Sequence, residues 1–429
     1  MVAEAFPQWA AAPVADAPPG SGPVCRSGAL RATNAEESRR AVAHRAGFDR
    51  RCKRFKLTHH SRRGVLPDRV LVEIETLRMA RLRVAYDARP LKPQSRHWGP
   101  GVFVENMLAR LGNDFQFLGL AQSFRDSRRW QVRSWPAIPK LNSILFEASP
   151  LLAKRPDVYW GTNDFIPHSW NGPSVLTVHD LLILNNMDGE TFARFFGWRF
   201  RSSLRRASVV IADSRTTAND LLTRFPELRG KVEVALLGVA AGAPAANADA
   251  ASEGLPDAPY VIMLGAHRPR KNLGLALSAA ARLMDQGIKI QLLITGDIHP
   301  SFAGLLRRRP DNVRTVGVLP TEKVISLLRG ATALFFPSRY EGFGLPLLEA
   351  MAAACPVLAL DTPINREIGG GAAWLLPEDP AEWAKACKAL MTSPSIRVEM
   401  REKGFENLTR FSWDQTAAVY HEAFTDVGC

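Results

Sequence analysis

Glu341 and Glu349 stand eight positions apart in Pro337-Ser338-Arg339-Tyr340-Glu341-Gly342-Phe343-Gly344-Leu345-Pro346-Leu347-Leu348-Glu349. The spacing puts the first acid in a loop and the second about one turn inside the helix that follows. A carboxylate can accept two hydroxyl hydrogen bonds at once, so this pair suits the vicinal diols of a hexose or a ribose. Gly342 and Gly344, with Phe343 and Leu345 beside them, let the backbone come close to a sugar or a phosphate. Pro346 fits the first turn of the helix, where its missing N–H does no harm. An ordinary surface acid would have polar neighbours, whereas Leu345, Leu347, Leu348, Met351 and Ala352 are apolar.

A second constellation is Leu264-Gly265-Ala266-His267-Arg268-Pro269-Arg270-Lys271-Asn272. It lies between a strand pattern and a helix pattern, where free backbone N–H groups and the positive end of the helix dipole are presented. Gly265 permits close backbone approach, and Arg270 and Lys271 add full charges. The combination suits a diphosphate whose negative charge grows as a leaving group departs. Taken alone, the same residues read equally well as a solvated basic loop. Two further places are weaker: His179, at a strand end in Thr177-Val178-His179-Asp180-Leu181, and Gly101 in Gly99-Pro100-Gly101. A lone histidine at a strand end is more often structural, and a glycine pair around proline is often a plain turn.

These residues need rigid elements under them, and the apolar pattern supplies them. Short strand-like runs at 82–87, 115–120, 158–160, 174–178, 209–212 and 232–236 alternate with helical stretches such as 192–204 and 216–225. A second series follows, with strands at 260–264, 290–295, 333–336 and 356–360 and helices at 273–284, 322–328, 345–354 and 381–390. Alternation of this kind predicts parallel βαβ units, an α/β fold class with two Rossmann-like domains facing a cleft. Ligands in such sheets bind beyond the carboxyl ends of the strands. The expected layout is a basic disordered extension over 1–80, a first domain over 81–240, a linker over 241–257, a second domain over 258–408 and a terminal segment over 409–429.

The stretch from Glu341 to Glu349 resembles the Glu-x7-Glu signature of retaining glycosyltransferases of family 4, which have the GT-B fold. The turn from Gly265 to Asn272 is similar to that family's phosphate-binding segment, Asp361-Thr362-Pro363-Ile364-Asn365-Arg366-Glu367-Ile368-Gly369 to its following loop, and Phe411-Ser412-Trp413-Asp414 to the start of the terminal helix that crosses back to the first domain. The resemblance covers roughly residues 82–425. It implies that Glu349 holds ribose hydroxyls, that Glu341 contacts the donor hexose near the reacting carbon, and that Lys271 neutralises the diphosphate. It also implies that His179 positions the hexose or the attacking hydroxyl, and that Gly101 meets the diphosphate from the other side. The chain departs from the family pattern at Ala266, where arginine is common, so Arg270 or Arg268 would supply that charge. It departs again at Ala353-Ala354-Cys355, where small glycines are usual.

The resemblance implies transfer of a hexose, with retained configuration, from a nucleoside diphosphate sugar to a hydroxyl of a glycan or lipid-linked acceptor, as in surface polysaccharide synthesis. GDP-mannose is the favoured donor, and no metal or other cofactor is required. The rivals are a non-catalytic nucleotide-sugar-binding protein on the same fold and a sugar-nucleotide epimerase. Composition narrows the field further. The formal net charge is +13, but the stretch from Met1 to Arg83 carries +8 of it, with 16 Lys and Arg against 8 Asp and Glu. No nucleic-acid motif accompanies that excess, so no nucleic-acid partner is expected. The five cysteines are scattered, which argues against a disulfide framework or a zinc site. No run approaches the length of a membrane span and no signal-peptide pattern opens the chain. The expected location is cytoplasmic, with peripheral contact at the inner face of a membrane if the acceptor is lipid-linked.

Overall fold

The computed structural model describes residues 81–92, 99–122, 132–135, 142–152, 156–185, 193–239 and 258–428. The expected extension over 1–80 and the linker over 241–257 lie outside the described residues.

Among the described residues thirteen parallel strands form two sheets, and the first has seven in the order β3-β2-β1-β4-β5-β6-β7. These strands are β1 (Arg83–Asp87), β2 (Gln116–Gln122), β3 (Val132–Trp135), β4 (Val158–Gly161), β5 (Ser174–Val178), β6 (Val209–Ala212) and β7 (Val232–Val234). The second sheet has β8 (Tyr260–Ala266), β9 (Gln291–Ile298), β10 (Val313–Gly317), β11 (Ala333–Phe336), β12 (Val357–Leu360) and β13 (Ala373–Leu376), in the order β10-β9-β8-β11-β12-β13. Central strands read as continuous apolar runs, and β4, β5, β11 and β12 are buried at every position, as helices on both faces require.

Strand order reverses between β1 and β4 in the first sheet and between β8 and β11 in the second. In a doubly wound sheet that reversal opens a crevice at the carboxyl ends of the strands. The loops after β1 and β4 therefore flank one crevice, and those after β8 and β11 flank the other. The latter two carry His267 to Lys271 and Glu341 to Gly344, and Gly265 lies near the carboxyl end of β8 itself.

The last helix, Trp413–Gly428, packs on the first sheet. Phe424 meets Trp160 at 5.5 Å and Phe115 at 5.4 Å between ring centroids, and Tyr420 meets Phe103 at 5.3 Å. The Thr177 hydroxyl lies 2.8 Å from Tyr420 Oη and accepts from Trp160 Nε1 at 2.9 Å. Each such aromatic side chain contributes about 1.5–3 kcal/mol by burial. Gly238 is required where this helix starts, since a Cβ there would stand 2.2 Å from the Trp413 nitrogen. Among the described residues no helix is long and apolar enough to cross a membrane.

Candidate functional site between the two sheets

The basic turn after β8 is a 3₁₀ turn, Pro269–Lys271, closed by Asn272 in the left-handed region (φ 55°) before the helix Leu273–Asp285. Gly265 (φ 75°) sits where the β8–β9 register shifts. The Arg339 N–H donates to the Arg270 carbonyl at 2.9 Å, which ties this turn to the one after β11. There the chain passes buried Ser338 and reaches Glu341, Gly342 and Phe343. Gly344 begins the helix Leu345–Ala352 with φ 102°, a conformation that any side chain would strain. Phe343 is buried edge-on against Phe411 at 5.8 Å.

The two turns meet in an ion pair. Lys271 Nζ lies 2.6 Å from Glu341 Oε1, with the two side chains 9% and 11% exposed. Burial alone would raise the Glu341 carboxyl. The charges of Lys271 and Arg270, with hydrogen bonds from Lys271 and Ser338, hold it below the usual carboxylate range instead. Burial and the cations Lys271, Arg270 and Arg268 push the His267 imidazole down to about 4, so it is neutral at physiological pH. The turn after β8 is thus a region of positive potential, which fits an anion of high charge.

Glu349 differs from Glu341. Its side chain is open to solvent, yet protein surrounds it closely enough that lost hydration raises its carboxyl. Among the described residues the Glu349 carboxylate has no hydrogen-bond or ion partner. Its carboxylate is therefore an uncommitted hydrogen-bond acceptor.

The first sheet contributes His179, just after β5. Its Nδ1 lies 2.6 Å from Asp213 Oδ2 and its Nε2 2.9 Å from the Thr162 carbonyl oxygen. Both partners only accept, so both ring nitrogens carry protons and the ring is an imidazolium. Burial would lower the ring, but the Asp213 charge and hydrogen bond, the Asp164 charge and the Thr162 carbonyl raise it to about 9. The ring is a fixed cation here, and reaching a sugar hydroxyl would require exchanging its bond to Thr162. Gly101 is the third residue of the helix Gly99–Leu111, which starts where the sequence predicted a turn. A Cβ on Gly99 would stand 3.8 Å from Leu345 Cδ1, so this helix start faces the Leu345 helix.

Contacts across the crevice bring the halves of the site together. The Leu181 N–H donates to Tyr340 Oη at 3.0 Å. The Gly342 carbonyl accepts from the Ser214 hydroxyl at 2.9 Å and from the Thr217 hydroxyl at 3.2 Å. A Cβ on Gly342 would stand 1.9 Å from the His179 carbonyl oxygen, so this glycine sets how closely the two turns approach. Glu367 accepts from Arg215 N at 2.8 Å and Thr216 N at 2.7 Å, at the start of the helix Arg215–Arg224. Its charge there complements the helix dipole.

The structure therefore places Gly265, Arg270, Lys271, Glu341, Gly342, Phe343, Gly344, Leu345 and Glu349 on the second sheet's crevice, and His179 and Gly101 on the first. Sequence reasoning missed Asp213, Thr162, Asp164 and Tyr340. Asp213 directly follows β6, and that position at a strand's carboxyl end was the available signal.

Comparison with known proteins follows the same division. Residues 246–407 match the family described as glycosyl transferases group 1. The chain is 29% identical over 297 residues to D-inositol 3-phosphate glycosyltransferase of Salinispora arenicola, covering 60% of this chain and 65% of that protein. It is 32% identical over 180 residues to the serotype-specific mannosyltransferase WbdA of Escherichia coli, covering 40% of this chain and 22% of that protein. The chain thus spans less than two thirds of the length of either relative. Among solved structures, sucrose-phosphate synthase of Thermosynechococcus elongatus superposes with a TM-score of 0.68 at 20% identity, over 81% of this chain and 99% of that one. HepE of Anabaena, solved with UDP-glucose, superposes with a TM-score of 0.63 at 16% identity, over 80% of this chain and all of that one. The chain has the GT-B fold of glycosyltransferases, and its residues 246–407 match the group 1 glycosyltransferase family.

Proposed function

We propose that this protein is a retaining glycosyltransferase that moves a hexose from a nucleoside diphosphate sugar to a hydroxyl of a glycan or lipid-linked acceptor. Residues 258–408 hold the donor, residues 81–240 present the acceptor, and residues 409–429 return the chain to the first half. The observation that carries the reading is the Lys271–Glu341 pair joining the turns after β8 and β11, with Glu349, which has no partner among the described residues, on the helix that Gly344 begins. Glu349 accepts ribose hydroxyls, and Glu341 takes those of the hexose. The chief chemical task is to stabilise the diphosphate as it leaves. Lys271, Arg270 and the N–H groups of the helix starts are aimed at that charge before the reaction begins.

The paired carboxylates act as sugar binders, because Glu341 is already committed to Lys271. Donor binding exchanges part of that pair for phosphate oxygens and hexose hydroxyls. Contacts such as Gly342 on the His179 carbonyl and Tyr340 on Leu181 then exclude water from the reacting carbon. A GDP-mannose donor is the favoured choice, supported by the likeness to a mannosyltransferase, and surface polysaccharide synthesis is the proposed role. Reaction needs no metal ion or other cofactor. A lipid-linked acceptor agrees with a cytoplasmic enzyme that docks at the membrane face. The helix Ala193–Arg206 supports this, with Trp198 54% exposed and Arg201 and Arg205 exposed at helical spacing along it.

The test is product analysis. With GDP-mannose and a glycan acceptor, proton NMR of the first product should show the anomeric configuration of the donor. An inverted product, or nucleotide binding with no product from any sugar donor, would contradict the proposal.

A further inference from the structure

Asp164 follows β4 at the switch point of the first sheet, and three features set it apart. It is one of three non-glycine residues with positive φ among those described, at 66°. Its N–H reaches the Thr177 carbonyl at 3.3 Å, which fixes it over the end of β5. Among the described residues its buried Oδ1 has no hydrogen-bond partner. A turn that needed only the backbone shape would be met by glycine without strain and without an orphaned carboxyl oxygen. Strain and an unmet polar atom in one residue, at the place where the fold binds ligands, mark a functional position.

The surroundings narrow the role. His179, Asp180, Asp213 and Arg89 face the carboxyl. His179 is spent on Asp213 and Thr162, Asp180 accepts from the Leu182 N–H at 2.8 Å, and Asp87 holds Arg89. The Asp213 carboxyl also has a buried oxygen without a partner, but its other oxygen anchors the imidazolium. Among the described residues Asp164 is the carboxyl of this group with no side-chain commitment. In the reading above Lys271, Glu341 and Glu349 take the donor, which leaves the first sheet's uncommitted carboxyl for the other reactant.

We propose that the Asp164 carboxyl binds the attacking hydroxyl of the acceptor, resting on the glycosyltransferase reading above. Burial, with Asp180 and Asp213 nearby, lifts this carboxyl to about 7 against the pull of His179 and Arg89. It therefore changes between hydrogen-bond donor and acceptor near neutral pH, and the ionised form is the one that orients a hydroxyl for attack.

The test uses the full chain and nucleotide release without added acceptor, where water stands in the acceptor's place. Asp164→Asn removes the acceptor oxygen's charge, and Asp164→Gly also relieves the backbone. Both should lower the rate constant of release about tenfold or more while donor KM changes less than about twofold. The rise of the wild-type rate near pH 7 should vanish in both, and Asp164→Gly should keep the wild-type Tm or exceed it. Unchanged release in both variants, or a loss that follows a lower Tm or a raised donor KM, would overturn the assignment. If the wild type releases no nucleotide from UDP-, GDP- or ADP-sugars either alone or with mixed glycan acceptors, the glycosyltransferase reading itself falls, and this assignment with it; release that needs an acceptor moves the same comparison of variants to that acceptor.

Discussion

Lys271 Nζ sits 2.6 Å from Glu341 Oε1, joining the turn after β8 to the turn after β11 inside a largely buried site. A buried pair of this kind gains little net stability over an apolar replacement, but losing one member strands a charge. Lys271→Met should therefore destabilise the protein by about 3 kcal/mol, and the double variant Lys271→Met/Glu341→Gln should recover much of that. Urea unfolding of the four members of the cycle measures it. Additive losses would mean that the two charges do not depend on each other.

Gly342→Ala tests how closely the two turns must approach. Its Cβ would enter the space of the His179 carbonyl oxygen, which lies directly after β5. The chain must then separate the turns and weaken the Ser214 and Thr217 contacts to the Gly342 carbonyl. Small-angle scattering should show a larger radius of gyration for the variant, and donor turnover should fall about tenfold or more. A variant with unchanged dimensions and turnover would show that this contact is not required.

The histidine cation makes a prediction in pH. The folded-state value of His179 is raised to about 9 from an ordinary 6.5, so its contribution is fully present below pH 6.5 and is lost as pH rises through 9. The magnitude is roughly 3 kcal/mol at most between those limits. Asp164, raised to about 7, acts in the same direction at lower pH, since its contribution declines from about pH 4 to 7. Urea midpoints should fall between pH 6.5 and 9.5 in the wild type and fall less in His179→Gln. Parallel profiles for the two proteins would contradict the imidazolium assignment.

Ala354 has φ 56° just past the helix Leu345–Ala352, with the Cys355 N–H bonded back to the Ala350 carbonyl at 2.8 Å. Glycine is the residue for that left-handed position at a helix end. Ala354→Gly should raise stability by about 1 kcal/mol, since the relieved strain exceeds the added unfolded-state freedom. A lower Tm would mean that the methyl group's packing outweighs the backbone strain.

Much of this fold was legible in the sequence where apolar runs are short and fully buried. Strands Ser174–Val178, Val209–Ala212 and Ala333–Phe336 coincide with their expected limits. Val313–Gly317 was missed because it is an edge strand, exposed at all positions but Val313, so no apolar run announces it. The helix Pro394–Leu408 was missed for a related reason, since it buries only Met400, Gly404 and Asn407 and has no continuous apolar stripe. The second sheet's site was readable because consecutive residues build it. The first sheet's site was not, because Thr162, Asp164, His179 and Asp213 come from the ends of three different strands and meet only after parallel pairing.

The most direct measurement is nucleotide release from a panel of GDP-, UDP- and ADP-sugars by wild type, Lys271→Ala and Glu349→Gln. Glu349 has no partner to lose among the described residues and its carboxyl is raised by its surroundings, so Glu349→Gln should leave Tm unchanged or higher. Release is expected from one donor class, with turnover about tenfold to a hundredfold lower in Glu349→Gln and abolished in Lys271→Ala. Wild-type release that persists unchanged in both variants, or no release from any donor, would contradict that expectation.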